Sequence, residues 1–313
     1  MSKPTVQLGI LYSFMSLVLL GLMPVISNSR PGQLDALNFA LYLSIWQLIF
    51  SLPLVFAELR LGKPGIFAAE LSDREKTRTI AIIMATGLIF GLSTFIYVLS
   101  VEKAGTVSAA IAIQAYPLFA IFWESIFLNR RKSKLELFFT GLLITALYYL
   151  GTDGTWRIGG MSVWFLVALG VPFLWSIAHV IIKEVLDTTP ISPGQVTFFR
   201  VLVSSVALLL IALIINGSES VISGVVNKEF QWFALIMGFV YYLELIVWFY
   251  AVKHVDVSVA SSITAPWPVV TMILATIFLH EEIFNYQIFA MAFVAISIYG
   301  LLYAGNKKRA ALA

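Results

Sequence analysis

The sequence contains ten apolar runs, each bounded by charged residues, Gly or Pro and separated by short polar segments. An α-helix of about 20 apolar residues crosses the bilayer core of about 30 Å. The pattern therefore predicts an all-α integral membrane protein with ten transmembrane helices. The runs are Thr5 to Ser27, Leu37 to Ala57, Thr79 to Ser100, Gly105 to Leu128, Leu135 to Leu150, Met161 to Ile182, Gln195 to Ile215, Phe230 to Val252, Val257 to Leu279 and Tyr286 to Ala304.

The composition excludes a water-soluble fold. Hydrophobic residues make up 60% of the 313 residues and charged residues 12%, whereas soluble domains are about 45–50% apolar and about 25% charged. The absence of cysteine excludes a disulfide framework and a thiolate metal site. The first apolar run is longer than the core of a signal peptide, and no small-residue cleavage site follows it, so we interpret it as a retained helix.

Lysine and arginine are distributed unevenly between the two sets of loops that ten helices create. Cytoplasmic loops of membrane proteins carry an excess of these residues. The excess falls on the side of both chain ends, which predicts that the N- and C-termini are cytoplasmic. On this topology the cytoplasmic basic residues are Lys3, Arg60, Lys63, Arg74, Lys76, Arg78, Arg130, Arg131, Lys132, Lys134, Lys183, Lys253, Lys307, Lys308 and Arg309, and the outer ones are Arg30, Lys103, Arg157 and Lys228.

The two halves of the chain resemble each other at an offset of 151 positions, which pairs Val101 with Val252, Ala109 with Ala260 and Pro117 with Pro268 and aligns Ile-Phe-Leu at 126–128 and 277–279. We predict two five-helix repeats, 1–154 and 155–313, within one compact membrane domain. Because five is odd, the second repeat is inverted relative to the first. Inverted repeats recur in secondary transporters, with a solute site at the repeat interface. A gene duplication unconnected with transport is the alternative.

Prolines at matched positions mark the middle of the fourth and ninth helices. Proline removes a backbone donor and strands a carbonyl group one turn earlier, which must be satisfied by protein or by cavity water. Pro117 follows Tyr116, and Pro268 follows Trp267 and Pro266. We expect two kinked helices that line a central cavity, with Tyr116 and Trp267 facing the solute. A kink that only improves packing is the alternative.

Two ionisable residues lie inside predicted helices. Burial of an ionisable group in the bilayer costs free energy, so such residues usually have a function. Arg200 lies near the start of the seventh helix and Glu244 lies within the eighth, at depths that differ by only about 4–5 Å at a rise of about 1.5 Å per residue. They either form a structural ion pair, or Arg200 has a gating role or binds a substrate carboxylate.

Several polar and aromatic residues are further candidates for contact with the solute. His179 lies one helical turn from Trp175 on the same face of the sixth helix. Ser262 and Gln114 lie near the prolines, and unpaired polar groups avoid lipid. Tyr242 adds an aromatic ring to the eighth helix. For any single ring, core packing is the alternative.

Motifs for enzymatic chemistry are missing. The histidines at 179, 254 and 280 do not have the HExxH spacing, and the sequence has no GxSxG, Walker A or glycine-rich dinucleotide motif. We therefore predict that the protein is not an enzyme and has no metal site, no cofactor and no nucleic-acid partner.

The whole chain resembles the drug/metabolite transporter superfamily, in its EamA-type ten-helix branch. The stretch Leu279-His280-Glu281-Glu282-Ile283-Phe284-Asn285-Tyr286-Gln287 is similar to the acidic residue after the family's ninth helix and the polar start of its tenth. Phe198-Phe199-Arg200 is similar to the arginine-bearing start of its seventh. The halves differ: Arg130-Arg131 in the first corresponds to Glu281-Glu282 in the second, and Gln47 corresponds to Arg200.

Within this family the sequence is most similar to the YddG-type aromatic amino acid exporters. The resemblance implies a bacterial inner-membrane protein that exports amino acids by alternating access through a central cavity. Its partners would be an amino-acid-like solute and the lipid bilayer, and a monomer is compatible with this interpretation. Export of a hydrophobic cation, a sugar or a lipid intermediate is the first alternative, and a membrane-embedded receptor or enzyme is the second.

Overall fold

The computed structural model describes residues 3–32, 35–62, 65–67, 71–127, 132–255 and 257–312. The basic pair at 130–131 and the end of the predicted fourth helix at residue 128 lie outside these ranges. Within them the chain is helical and contains no β-strand. The first half forms α1 (Lys3–Asn28), α2 (Ala36–Arg60), α3 (Asp73–Ala104), α4 (Thr106–Ile113), α5 (Tyr116–Phe127) and α6 (Lys134–Gly151).

The second half repeats this order with one additional short helix. It forms α7 (Val163–Thr188), α8 (Pro193–Ile215), α9 (Gly217–Val226), α10 (Lys228–His254), α11 (Val257–Thr264), α12 (Trp267–Leu274) and α13 (Asn285–Leu312), and a π-helical turn, Ala275–Leu279, continues α12. Helix α9 lies between the seventh and eighth predicted apolar runs, and its ten residues are too few to cross a bilayer.

In the part of the chain that the structure describes, nine helical segments are long and apolar enough to cross a membrane. A tenth apolar segment, Val163–His179 in α7, is shorter than 18 residues. The fourth and ninth predicted spans are each divided into two helices, α4 with α5 and α11 with α12. The protein is therefore a multi-pass membrane protein.

Both divided helices break at the same position of the repeat. An offset of 151 residues places Thr106 on Val257 and Tyr116 on Trp267, which are the first residues of the matched helices. Each second helix carries proline as its second residue, where a missing N–H costs nothing because the first turn has no intrahelical acceptor. The prolines thus start new helices rather than bend continuous ones.

The chain divides into two compact units, and each takes segments from both halves of the sequence. Unit 1 comprises Met1–Asn28, Ser100–Phe173 and Leu243–Ala313, and unit 2 comprises Ser29–Leu99 and Leu174–Tyr242.

Unit 1 brings repeat-matched helices together as antiparallel neighbours. Gly154 follows the end of α6, and a Cβ on it would lie 2.8 Å from the Cβ of Tyr286 in α13. A Cβ on Gly300 of α13 would lie 2.3 Å from the ring of Phe139 in α6. The end of α6 therefore lies against the start of α13, and the middle of α13 lies against the start of α6, so the two helices are antiparallel. The two helices also begin alike, since Glu136 accepts from the N–H of Ser133 in α6 and Gln287 accepts from that of Phe284 in α13.

Unit 2 pairs α2 with α8 in the same antiparallel way. Ser192 caps α8 and its hydroxyl donates to Glu58, which lies near the end of α2. A carboxylate is favoured at a helix N-terminus, where the backbone N–H groups are unpaired. Ser192 and Gln195 also form a capping box, so the start of α8 is fixed by three side chains.

Candidate functional site

One face of α3 in unit 2 carries two aromatic rings and a hydroxyl group. Phe90, Ser93 and Tyr97 are three and four residues apart, which places them on the same side of the helix. Phe90 and Tyr97 are buried, and the hydroxyl of Ser93 donates to the backbone carbonyl of Phe90 at 3.0 Å.

Trp175, on α7, packs against this face of α3. Its indole N–H donates to the hydroxyl oxygen of Ser93 at 3.0 Å. Its ring stacks on Tyr97, with 6.4 Å between the ring centroids and an interplanar angle of 20°. The hydrogen bond fixes the orientation of the indole plane, and the stack covers one of its faces.

Phe90 also contacts the two basic side chains of the region, those of Arg200 and His179. The guanidinium carbon of Arg200, on α8, lies 3.8 Å from the centroid of the Phe90 ring, and Arg200 is only 6% exposed. The imidazole of His179 lies 5.5 Å from the same ring, centroid to centroid, and is exposed at the surface of the chain. A cation over a ring face is stabilised by the ring quadrupole, and more strongly when water is excluded.

These six residues form one cluster in unit 2, which we call the α3 cluster. A guanidinium offers planar donors suited to a carboxylate, and indole and phenol rings offer faces and edges suited to another aromatic ring. The cluster therefore has the chemistry to bind a small anion that carries an apolar group. Its members are Phe90, Ser93, Tyr97, Trp175, His179 and Arg200.

Three of the nine predicted solute-binding residues, Trp175, His179 and Arg200, belong to the α3 cluster. The three members of the cluster on α3 are not among the predicted residues. Their signal was present as a spacing of three and four residues on the helix that also carries Gly87 and Gly91. Tyr242 lies half-buried on α10, also within unit 2.

The other predicted residues lie in unit 1, several of them at the breaks of the divided helices. The N–H of Val269 donates to the carbonyl of Pro266, so the carbonyl of Ala265 lacks its helical donor. The side-chain amide of Gln114 donates to that carbonyl. Gln114 therefore links the two breaks in this conformation. The sequence predicted contact with solute for this residue, but not this structural role.

The aromatic residues that follow the breaks differ in exposure. Trp267 is 7% exposed, so its ring is covered in this conformation, while Tyr116 and Pro117 are half-buried at the start of α5. Pro266 caps α12 and Pro268 is its second residue.

Ser262 and Glu244 contact neighbouring helices of unit 1. The backbone carbonyl of Ser262, on α11, accepts from the hydroxyl of Tyr299 at 3.0 Å. Glu244, half-buried on α10, accepts from the hydroxyl of Ser16 on α1 at 2.9 Å. Among the described residues, no group of three or more His, Asp or Glu side chains is placed to hold a metal ion.

A family model described as the EamA-like transporter family matches residues 7–152 and 162–303. The chain belongs to this family. It is therefore a membrane transporter rather than an enzyme, which confirms both predictions, and the two matches correspond to two repeats of the family domain.

A solved crystal structure gives the transporter a known fold. It superimposes with a TM-score of 0.61 at 14% sequence identity, and the similarity covers 96% of this chain and 98% of that one. At this identity the likeness shows a shared fold alone. No curated protein matches the sequence.

Proposed function

We propose that this EamA-like transporter exports small metabolites, aromatic and other amino acids in particular, by alternating access. The observation that carries the proposal is the burial of Arg200 against Phe90, beside the stacked rings of Trp175 and Tyr97. Ionisable groups inside membrane-spanning helices are energetically costly and are often functional. A solute whose carboxylate binds Arg200 and whose aromatic ring packs near Trp175 would contact both the charged and the aromatic side chains of the α3 cluster.

The alternating-access part of the proposal rests on two inverted repeats, 1–154 and 155–313. Matched helices α6 and α13 lie antiparallel in unit 1, and α2 and α8 lie antiparallel in unit 2. A two-fold axis in the membrane plane makes matched helices antiparallel, whereas an axis along the membrane normal makes them parallel. The pairing thus supports inverted repeats. The proposal further includes ten spans and both termini on the cytoplasmic side of a bacterial inner membrane, as the distribution of Lys and Arg and the family resemblance suggested.

The matched breaks are proposed to be the parts that move. A helix that is already divided changes its angle without breaking a continuous run of hydrogen bonds. Tyr116 and Trp267, at the two breaks, and the neighbouring Ser262 are then positioned to meet solute as the breaks open. Gln114 would exchange its bond to Ala265 for one to solute or water during this step.

The proposal is tested by replacing Arg200 with a neutral polar residue. Arg200→Gln removes the charge and keeps a long polar side chain. Because hydrogen bonds to charged groups contribute about 1.5–3 kcal/mol, we expect the KM for phenylalanine uptake into proteoliposomes to rise about 10- to 100-fold.

The matched control is Arg30→Gln, because Arg30 is also buried and lies 5.3 Å from the ring of Phe39. This variant should leave the KM for phenylalanine unchanged. Uptake of phenylalanine with the same KM in the Arg200 variant and the wild type would refute the site assignment. A wild type that moves no amino acid from a panel would refute the cargo.

Transport of a lipophilic cation is the second candidate, and the position of Glu244 favours it. A half-buried carboxylate that accepts from Ser16 could exchange a proton for a cation. If Glu244→Gln abolishes proton-driven uptake of a lipophilic cation while no amino acid is transported, this second function replaces the first.

A further inference from the structure

Helix α9 lies at the ends of three apolar segments of unit 2. The segment of α8 ends at Ile215, and those of α2 and α10 begin at Ala36 and Lys228. Gly217 separates α8 from α9 with a φ of 78°, a left-handed conformation that interrupts a helix. Its ten residues do not cross a bilayer, so α9 runs from the end of one segment to the start of the next at the edge of the apolar region.

Side chains from α2 and α10 hold one face of α9. The hydroxyl of Tyr42, on α2, donates to the backbone carbonyl of Val221. The amide of Gln231, on α10, donates to the backbone carbonyl of Gly224 at 2.9 Å. Val221 and Gly224 are buried, and a Cβ on Gly224 would contact the ring of Tyr42. These contacts fix which side of α9 faces the protein.

The rest of α9 divides into an apolar face and a polar face. Ile222, Val225 and Val226 are 60%, 60% and 70% exposed, and their spacing of three and four residues places them on one side of the helix. Glu219 and Ser223 are also exposed and form the polar face. A helix with one apolar and one polar face lies in the plane of the membrane interface, with the apolar face turned toward the acyl chains.

The apolar face continues the surface that unit 2 presents to lipid. Ile214 and Ile215 are 82% and 69% exposed in the last turn of α8, within a segment apolar enough to cross a membrane. Trp232, near the start of α10, is exposed too, and tryptophan is enriched at membrane interfaces. Three side chains are far fewer than the roughly 20–30 residues that each partner contributes to a stable protein interface. Lipid is therefore the partner that this face fits.

We propose that α9 is an interfacial helix whose apolar face, Ile222, Val225 and Val226, inserts among the acyl chains of the adjoining leaflet. On the proposed topology this is the outer leaflet. Ser218 lies in line with this face in the first turn, so the inserted part is confined to the second and third turns. Because α9 is also bonded to α2 and α10, its contact with lipid would fix the depth of unit 2 in the bilayer. The inference goes beyond the proposed function and holds for any transported solute.

The absence of cysteine allows a site-specific test. Ile222→Cys and Val225→Cys are each labelled with an environment-sensitive fluorophore, and the purified protein is reconstituted into phosphatidylcholine vesicles. A nitroxide on the acyl chain near the head group should quench both labels strongly. Aqueous iodide should quench them about threefold less than it quenches a label on the polar face, because the apolar face of such a helix lies about 5–10 Å below the head groups.

Ser223→Cys is the matched control, since Ser223 is exposed on the polar face of the same helix. Its label should give the reverse result, with strong quenching by iodide and weak quenching by the nitroxide lipid. Ile214→Cys supplies a reference for lipid contact, because Ile214 belongs to the apolar segment of α8.

Equal quenching by iodide at 222 and 223 would overturn the inference, since the apolar face would then lie in water. Protection of 222 and 225 from both iodide and the nitroxide lipid would also overturn it, because a second copy or another part of the chain would then cover the face. Both replaced residues are more than half exposed. Failure of both variants to fold would therefore contradict the inference as well, by showing that these side chains are buried in protein.

Discussion

At the scale of single residues, substitution of Trp175 distinguishes a role in binding an aromatic solute from a role in helix packing. Its indole stacks on Tyr97 and is held by Ser93. Trp175→Ala removes the ring, so we expect the KM for phenylalanine uptake to rise about tenfold, because an aromatic pair contributes about 0.5–1.5 kcal/mol beyond its buried area. The KM for leucine should change less. Trp156→Ala is the control, since Trp156 is 53% exposed. An equal loss for both solutes would indicate a packing role for Trp175.

Of the α3 cluster, the sequence singled out the two ionisable residues and Trp175, which lies one helical turn from one of them. Arg200 and His179 stand out because ionisable groups are expensive in a membrane. Phe90 and Tyr97 do not, since an aromatic residue in such a run is equally compatible with lipid contact, core packing or a binding site. Only contacts from other helices distinguish these environments.

At the scale of helices, the matched prolines predicted two kinked helices, whereas the structure divides both helices at that position. Length and hydropathy predicted the long helices well, because a bilayer sets both. They could not predict α9, which is short and lies between two apolar runs. Nor could they show that α2 pairs with α8, since pairing depends on side-chain contacts distant in sequence.

The close approach of α3 to α8 at Gly87 gives a prediction for these helices. In Gly87→Ala the new Cβ would lie 2.6 Å from the Cβ of Val203. Overpacking of this kind costs about 1–3 kcal/mol, so the Tm in detergent should fall and the α3 cluster should bind phenylalanine more weakly. Gly141→Ala is the control, because nothing lies within 4 Å of its Cβ position.

In the control the helix should gain about 0.5–1 kcal/mol from the higher helix propensity of alanine. Its Tm should therefore be equal to or above that of the wild type. If Gly87→Ala were as stable as Gly141→Ala, the two helices would not be in close contact at Gly87 in the folded protein.

At the scale of the whole molecule, each compact unit is made from both halves of the chain. Matched helices therefore meet inside a unit, and neither half forms a unit by itself. Self-similarity in a sequence reveals that two halves share a fold, but it does not reveal that they exchange partners. Two copies of one fold thus contribute matched helices to the same unit, as α6 and α13 do in unit 1.

The topology itself gives the last prediction, and the absence of cysteine makes it direct to test. Thr155, Ser218 and Thr77 are exposed, and replacing each singly with cysteine alters no charge that sets orientation. With ten spans and a cytoplasmic N-terminus, an impermeant maleimide added to intact cells should label cysteine at 155 and 218 but not at 77. Residues 155 and 218 flank α7 and α8, so they share a side if both helices cross the bilayer and lie on opposite sides if only one of them does. Labelling at 155 without labelling at 218 would show that α7, whose apolar segment is the shortest, does not cross.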